Sequence, residues 1–92
     1  MTYIIKQYSY NKAKDLGVDI YPSKNKNKKI DVYKDGKFVC SIGSINYYDY
    51  PSYIQMFGHK IADKRRILYK LRHNRDRFIK NSCGWYADRI LW

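Results

Sequence analysis

The sequence predicts a small α+β domain, and three observations carry that expectation. Asp35-Gly36 sits between two apolar-alternating runs and marks a two-residue hairpin turn. Gly17 and Gly58 each stand at the end of a stretch with helical character, and Pro51 falls where a first helical turn accepts proline. Residues 59–80 repeat apolar positions with a helical period. The chain has 92 residues, room for one core, so residues 1–92 read as a single domain with a thin stability margin.

Taken in order, Tyr3 to Tyr8 reads as a strand, and Ser9 as the N-cap of a short helix from Tyr10 to Leu16 that Gly17 closes. Val18 to Tyr21 alternates apolar and polar residues and reads as a second strand, broken by Pro22-Ser23. Lys24 to Lys29 is a polar, cationic loop. The hairpin follows, with strands at about 29–34 and 37–43; Ile30 and Val32 on one strand should meet Phe38, Cys40 and Ile42 on the other. Ile45 to Asp49 is a loop, Asp49-Tyr50-Pro51 opens a short helix that stops at Gly58, and a long basic helix runs over about 59–80. After Asn81-Ser82-Cys83-Gly84 comes a last turn or two, Trp85 to Trp92. Its apolar content requires it to be covered, docked on the sheet or on another subunit.

Composition narrows the function classes. Eleven Tyr, three Phe and two Trp promise an aromatic core and argue against whole-chain disorder. The net charge is +11, and it is uneven: residues 1–58 hold nine lysines against five aspartates, +4, while residues 59–92 hold ten Lys or Arg against three aspartates, +7. Every arginine lies in that last third. Charge of this size favours polyanions over small acidic substrates. No apolar run approaches membrane-spanning length, and the opening residues lack the pattern of a signal peptide. Cys40 and Cys83 therefore read as reduced, intracellular thiols, and no membrane partner is expected.

The basic helix has two faces by its 100° step. Ile61, Leu68, Leu71, Phe78 and Ile79, with Ile67 at the edge, form an apolar arc expected to face the core. Arg66, Lys70, His73 and Arg77 form a row on the opposite side, expected as a solvated ridge for phosphates. Asp63 is placed to pair with Arg66, and Asp76 with Arg72 or Lys80. Lys64 and Arg75 intrude on the arc, which requires snorkelling, a helix break near His73-Asn74, or a second subunit over the arc. Arg65, Arg72 and the loop residues Lys24, Lys26, Lys28 and Lys29 are flanking phosphate contacts. A charge row is commonly just a solvated face, and here the shortage of acids favours the binding reading.

Other chemistry is poorly supplied. Tyr47, Tyr48, Tyr50 and Tyr53 form the densest aromatic patch; Tyr50 and Tyr53 suit packing, whereas Tyr47 and Tyr48 suit stacking on unpaired bases. Cys40, His59, His73 and Cys83 are metal-ligand types without metal-site spacing. The aspartates are scattered, and no phosphate loop, nucleophile elbow or Cys-His dyad is present. No cofactor, metal, small-molecule substrate or enzymatic activity is expected.

Several phrases together carry a resemblance: Leu16-Gly17-Val18, Pro22-Ser23, Lys28-Lys29-Ile30-Asp31-Val32, Gly36-Lys37 and Ser41-Ile42-Gly43 in the first half. Asp49-Tyr50-Pro51 with Tyr53, Arg65-Arg66 with Tyr69, Arg72-His73, Asp76-Arg77, Gly84, Tyr86-Ala87-Asp88 and Ile90-Leu91-Trp92 continue it. Across most of residues 12–92 the chain resembles a family of small basic proteins of uncharacterised function encoded by large double-stranded DNA viruses of algae and amoebae. It departs from that pattern at Asn81-Ser82-Cys83. The resemblance implies a viral origin and a place in the host cytoplasm or nucleus, in a virus factory or packaged in the virion, and it brings no catalytic residues. The expected function is non-enzymatic, non-specific nucleic-acid binding, DNA ahead of RNA, as a viral nucleoid or factory component and possible homodimer. The alternative is a structural or interaction protein, a virion component or homodimeric adaptor whose basic face meets an acidic protein.

Overall fold

A computed structural model describes residues 3–92. The first helix, α1, spans Gln7–Leu16. It starts earlier than Ser9: Lys6 is its N-cap and offers no side-chain cap, while Ser9 lies inside the first turn and is fully buried. The Ser9 hydroxyl instead donates to the Ile90 carbonyl at 2.9 Å, satisfying one of the orphan carbonyls at the end of the last helix. Residues 3–6 carry no regular secondary structure. Ile5 is buried and Ile4 exposed, but no strand pairs with them among the described residues, so the expected strand is absent there. Gly17 ends α1 in the left-handed region, as expected.

The sheet is a three-stranded antiparallel meander of β1 (Asp19–Pro22), β2 (Lys28–Lys34) and β3 (Lys37–Ser44). Asp35 and Gly36 both have positive φ, 53° and 76°, which is the geometry of a type I′ turn. Ile30, Val32, Cys40 and Ile42 meet in the core as expected; Phe38 does not. The register pairs Val32 with Cys40 but Tyr33 with Phe38, so β3 carries one extra residue at Val39. With a side-chain period of two, that bulge turns Phe38 to the outer face. There it packs edge-on against Tyr33, which in turn meets Tyr21, at centroid distances of 5.6 and 5.5 Å.

Three further helices follow: α2 (Tyr50–Phe57), α3 (His59–Arg72) and α4 (Cys83–Leu91). Asp49 caps α2 by accepting from the Ser52 amide at 2.9 Å, and Ser82 caps α4 by accepting from Trp85. The basic helix stops at Arg72 rather than Lys80. His73 leaves helical geometry, its imidazole engages Asp76 at 3.3 Å, and a short 3-10 turn, Asp76–Phe78, leads to α4. Arg75 therefore does not intrude on a helical arc.

The core lies between the inner face of the sheet, α1 and α4: Ala13, Val18 and Ile20 join the hairpin residues and Tyr86, Ile90 and Leu91. The expected docking of the last helix is thus realised. Each of its fully buried aliphatics contributes about 1.5–3 kcal/mol. Gly43 permits the approach of α4 to β3, since a Cβ there would stand 2.6 Å from Leu91 Cδ1. Because α1 and α4 already cover the sheet, no apolar layer remains for α3. Its expected core arc is exposed: Ile67 is 61% and Leu71 69% accessible, and Ile61, Leu68, Phe78 and Ile79 are also exposed. The buried side of α3 is the other one, through Ala62 and Tyr69.

At the junction of these elements sits a buried ion pair, Lys29 Nζ to Asp49 Oδ2 at 3.0 Å, both almost inaccessible. The Tyr3 hydroxyl donates to the same carboxylate oxygen. Burial pushes the Asp49 pKa upward, but the Lys29 charge and the hydrogen bonds from Tyr3 and Ser52 outweigh it and hold the carboxyl below its ordinary value. Asp49 contributes fully above the unfolded carboxylate range and loses its contribution as pH falls through the lower folded value. Asp49→Asn keeps a capping side chain but strands the Lys29 charge, and should cost about 3–5 kcal/mol in urea unfolding. Adding Lys29→Met should recover much of that loss, and below about pH 4 the Asn variant should lose stability less steeply than the parent.

Candidate nucleic-acid interface

The helix-forming segments that flank Gly58 bring α2 and α3 into contact, and Trp92 at the end of α4 stacks on Tyr69 of α3. Between α3, the loop before α2, the end of β3 and α4 lies a cleft of about 650 Å³. Arg65, Tyr69 and Arg72 line it because i, i+4 and i+7 share one side of a helix. Lys28 reaches it from the start of β2, and Tyr47 and Tyr48 from the loop. Lys28, Arg65 and Arg72 are exposed and have no acidic partner among the described residues.

One wall is a chain of aromatic rings. Tyr48 meets Tyr53 edge-on at 5.4 Å, Tyr53 lies 6.2 Å from Trp92, Trp92 stacks on Tyr69 at 4.3 Å with a 9° tilt, and Tyr69 stacks on His73 at 4.3 Å. All five line the cleft. The Arg65 guanidinium lies over Tyr53, 5.7 Å from the ring centre. Tyr50 is buried and Tyr53 half-buried, as packing residues, whereas Tyr47 is 72% and Tyr48 46% accessible. Burial pushes the Tyr69 hydroxyl up to about 12, so it stays neutral at physiological pH.

The expected ridge is arranged differently. Arg66 and Lys70 do share a face of α3, with His73 just past its end, but that face turns toward the rest of the protein. Arg66 lies 3.5 Å from the Tyr50 ring centre and donates to the Tyr8 hydroxyl at 3.3 Å. Lys70 pairs with the buried Asp88 at 2.8 Å. His73 is held between Tyr69 and Asp76, and Arg77 lies on the Phe78 ring while its carbonyl accepts from Arg89. Arg66 and Arg77 each leave a buried Nε without a hydrogen-bond partner among the described residues. The geometry inverts because partners distant in sequence, Tyr8, Asp88 and Trp92, accept cations and rings that an apolar core would not. Asp63 bonds to the Tyr50 hydroxyl at 2.7 Å rather than to Arg66, and Asp76 to His73 rather than to Arg72 or Lys80.

The loop cations divide. Lys29 is buried against Asp49 and is no surface contact, while Lys24, Lys26 and Lys28 are exposed and line a smaller hollow of about 300 Å³ with Tyr3. Asp31 holds the loop in shape, accepting from Ser23, Ser41 and the Lys24 amide. Burial works against its ionisation, yet these hydrogen bonds keep its pKa below the ordinary value. Of the ten residues singled out in the sequence, Arg65, Arg72, His73, Lys28 and Lys29 border the main cleft, and Lys28 links it to the Lys24–Lys26 hollow. Tyr69 and Trp92 were not anticipated there. The shared spacing of Arg65, Tyr69 and Arg72 is the sequence signal that points to the first.

Cys40 is buried and Cys83 exposed; burial, with Cys83 nearby, pushes the Cys40 thiol up to about 12. No cluster of three or more His, Cys, Asp or Glu side chains suited to a metal occurs among the described residues. No helix among them is long and apolar enough to cross a membrane. Comparison with protein-family models, with curated proteins and with solved structures returned no match.

Lys70→Ala should separate a structural from a binding role. It leaves the buried Asp88 with only Arg89 at 3.6 Å, and should lower stability by about 2 kcal/mol in urea unfolding. Its affinity for heparin should stay close to the parent's, because the Lys70 ammonium is neutralised by Asp88.

Proposed function

We propose that the protein is a non-enzymatic nucleic-acid-binding protein that holds the phosphate backbone at the cleft. The observation that carries this reading is the set of exposed, unpaired cations, Lys28, Arg65 and Arg72, around one concavity bordered by exposed tyrosines. Lys24 and Lys26 extend the same basic edge. Such a surface releases counterions from a polyanion irrespective of sequence, so binding is non-specific and salt-sensitive. DNA stands ahead of RNA as the ligand on the resemblance to proteins of large DNA viruses, which also supports a role in a viral nucleoid or factory. The inward row of α3 takes a structural part in this reading.

Affinity for mixed-sequence DNA should fall steeply between low and high salt. Arg65→Glu and Arg72→Glu should each weaken binding at low salt by about tenfold and reduce the salt slope by about one contact, with an unchanged melting temperature. Salt-independent binding, or full affinity in the double variant, would remove the proposal.

A second reading has its own observation, the exposed arc of Ile61, Ile67, Leu68 and Leu71. An apolar stripe of this kind fits a protein partner. Exposed Lys60 and Lys64 lie within it, so its occupant would be an acidic amphipathic segment of another protein. A leucine- and glutamate-rich amphipathic peptide should bind, its lysine counterpart should not, and Leu68→Glu with Leu71→Glu should abolish binding. Concentration-dependent mass in sedimentation, lost in that variant, would assign the arc to a second copy instead.

A further inference from the structure

The cleft combines two chemistries that a duplex backbone does not use together. Its cations serve phosphates, and its tyrosines offer flat ring faces. In a duplex the faces of the bases are stacked on one another and only their edges reach the grooves, so an exposed tyrosine ring has nothing to stack on. An unpaired strand presents both phosphate and base face to the same surface. We infer that the cleft is a single-strand site, in which unpaired bases stack on Tyr47 and Tyr48 while Arg65, Arg72 and Lys28 hold the flanking phosphates.

Three details of the geometry support the assignment. Arg65 and Arg72 are two helical turns apart, about 10 Å along the axis, so they bracket a stretch of backbone rather than a single phosphate. Tyr47 and Tyr48 are the two most exposed rings of the cleft, and they stand on the loop that faces α3 across it. The position of Tyr48 is fixed from below: Asp49, the next residue, is locked by Lys29 and caps α2, and the Tyr48 ring rests edge-on against Tyr53 and Phe57. A platform that is already ordered loses little entropy when a base settles on it.

The inference rests on the nucleic-acid reading, and the test keeps the two apart. Binding is compared for an oligothymidylate, the same strand annealed to its complement, an abasic strand of equal length, and heparin, all at one moderate salt concentration. The oligothymidylate should bind about tenfold tighter than the duplex or the abasic strand and should quench tryptophan fluorescence, Trp92 being part of the wall. Tyr47→Ala with Tyr48→Ala should lose about tenfold for the oligothymidylate and nothing for heparin, while Tyr47→Phe with Tyr48→Phe should retain parental affinity for both. Duplex or abasic strand bound as tightly as oligothymidylate overturns the single-strand assignment and leaves nucleic-acid binding standing. No binding to any nucleic acid overturns both.

Discussion

The buried pair of Lys29 and Asp49 is the constraint on which the rest of the arrangement depends. Asp49 receives the ammonium of β2, the Tyr3 hydroxyl from the segment before α1, and the Ser52 amide at the start of α2. One carboxylate therefore joins the sheet, the opening of the chain and the second helix. Two charges withdrawn from water gain little net stability over an apolar pair of the same shape, but breaking the pair is costly. That asymmetry makes it a device for position. It sets where α2 begins, and with it the loop that carries Tyr47 and Tyr48.

Sheet, α1 and α4 close the apolar core by themselves, so α2 and α3 attach to that unit by different means: Tyr69 on Trp92, Lys70 on Asp88, and Arg66 between Tyr50 and Tyr8. These contacts are aromatic, cationic and directional. They consume the cations that face inward and leave those a third of a turn away, Arg65 and Arg72, free at the edge of the cleft. Structural cost and available charge are thus separated on one helix.

The hairpin illustrates what local patterning conveys and where it stops. The turn, the strands and the inward set of Ile30, Val32, Cys40 and Ile42 follow from Asp35-Gly36 and a period of two. Phe38 departs because a single bulged residue at Val39 reverses the facing of everything between it and the turn. A bulge is fixed by how two strands accommodate each other, and β3 alone does not announce it. Ser9 is similar: its residue type fits a cap, yet the Ile90 carbonyl, reached only after folding, claims its hydroxyl.

The sequence by itself determined the α+β class, the hairpin, the helix ends at Gly17 and Gly58, the helix start at Asp49-Tyr50-Pro51, the need to cover the last helix and the excess of cations in the final third. These are properties of short windows and of totals, and local backbone preference and charge counting reach them. Only the tertiary structure decided which face of α3 turns inward. Periodicity establishes that the helix has an apolar side and a cationic side; it does not say which finds partners. That choice lies with Tyr8, Tyr50, Asp88 and Trp92, between 16 and 58 residues away from the α3 side chains they meet. Their contacts favour the cationic side because the apolar layer was already complete without it.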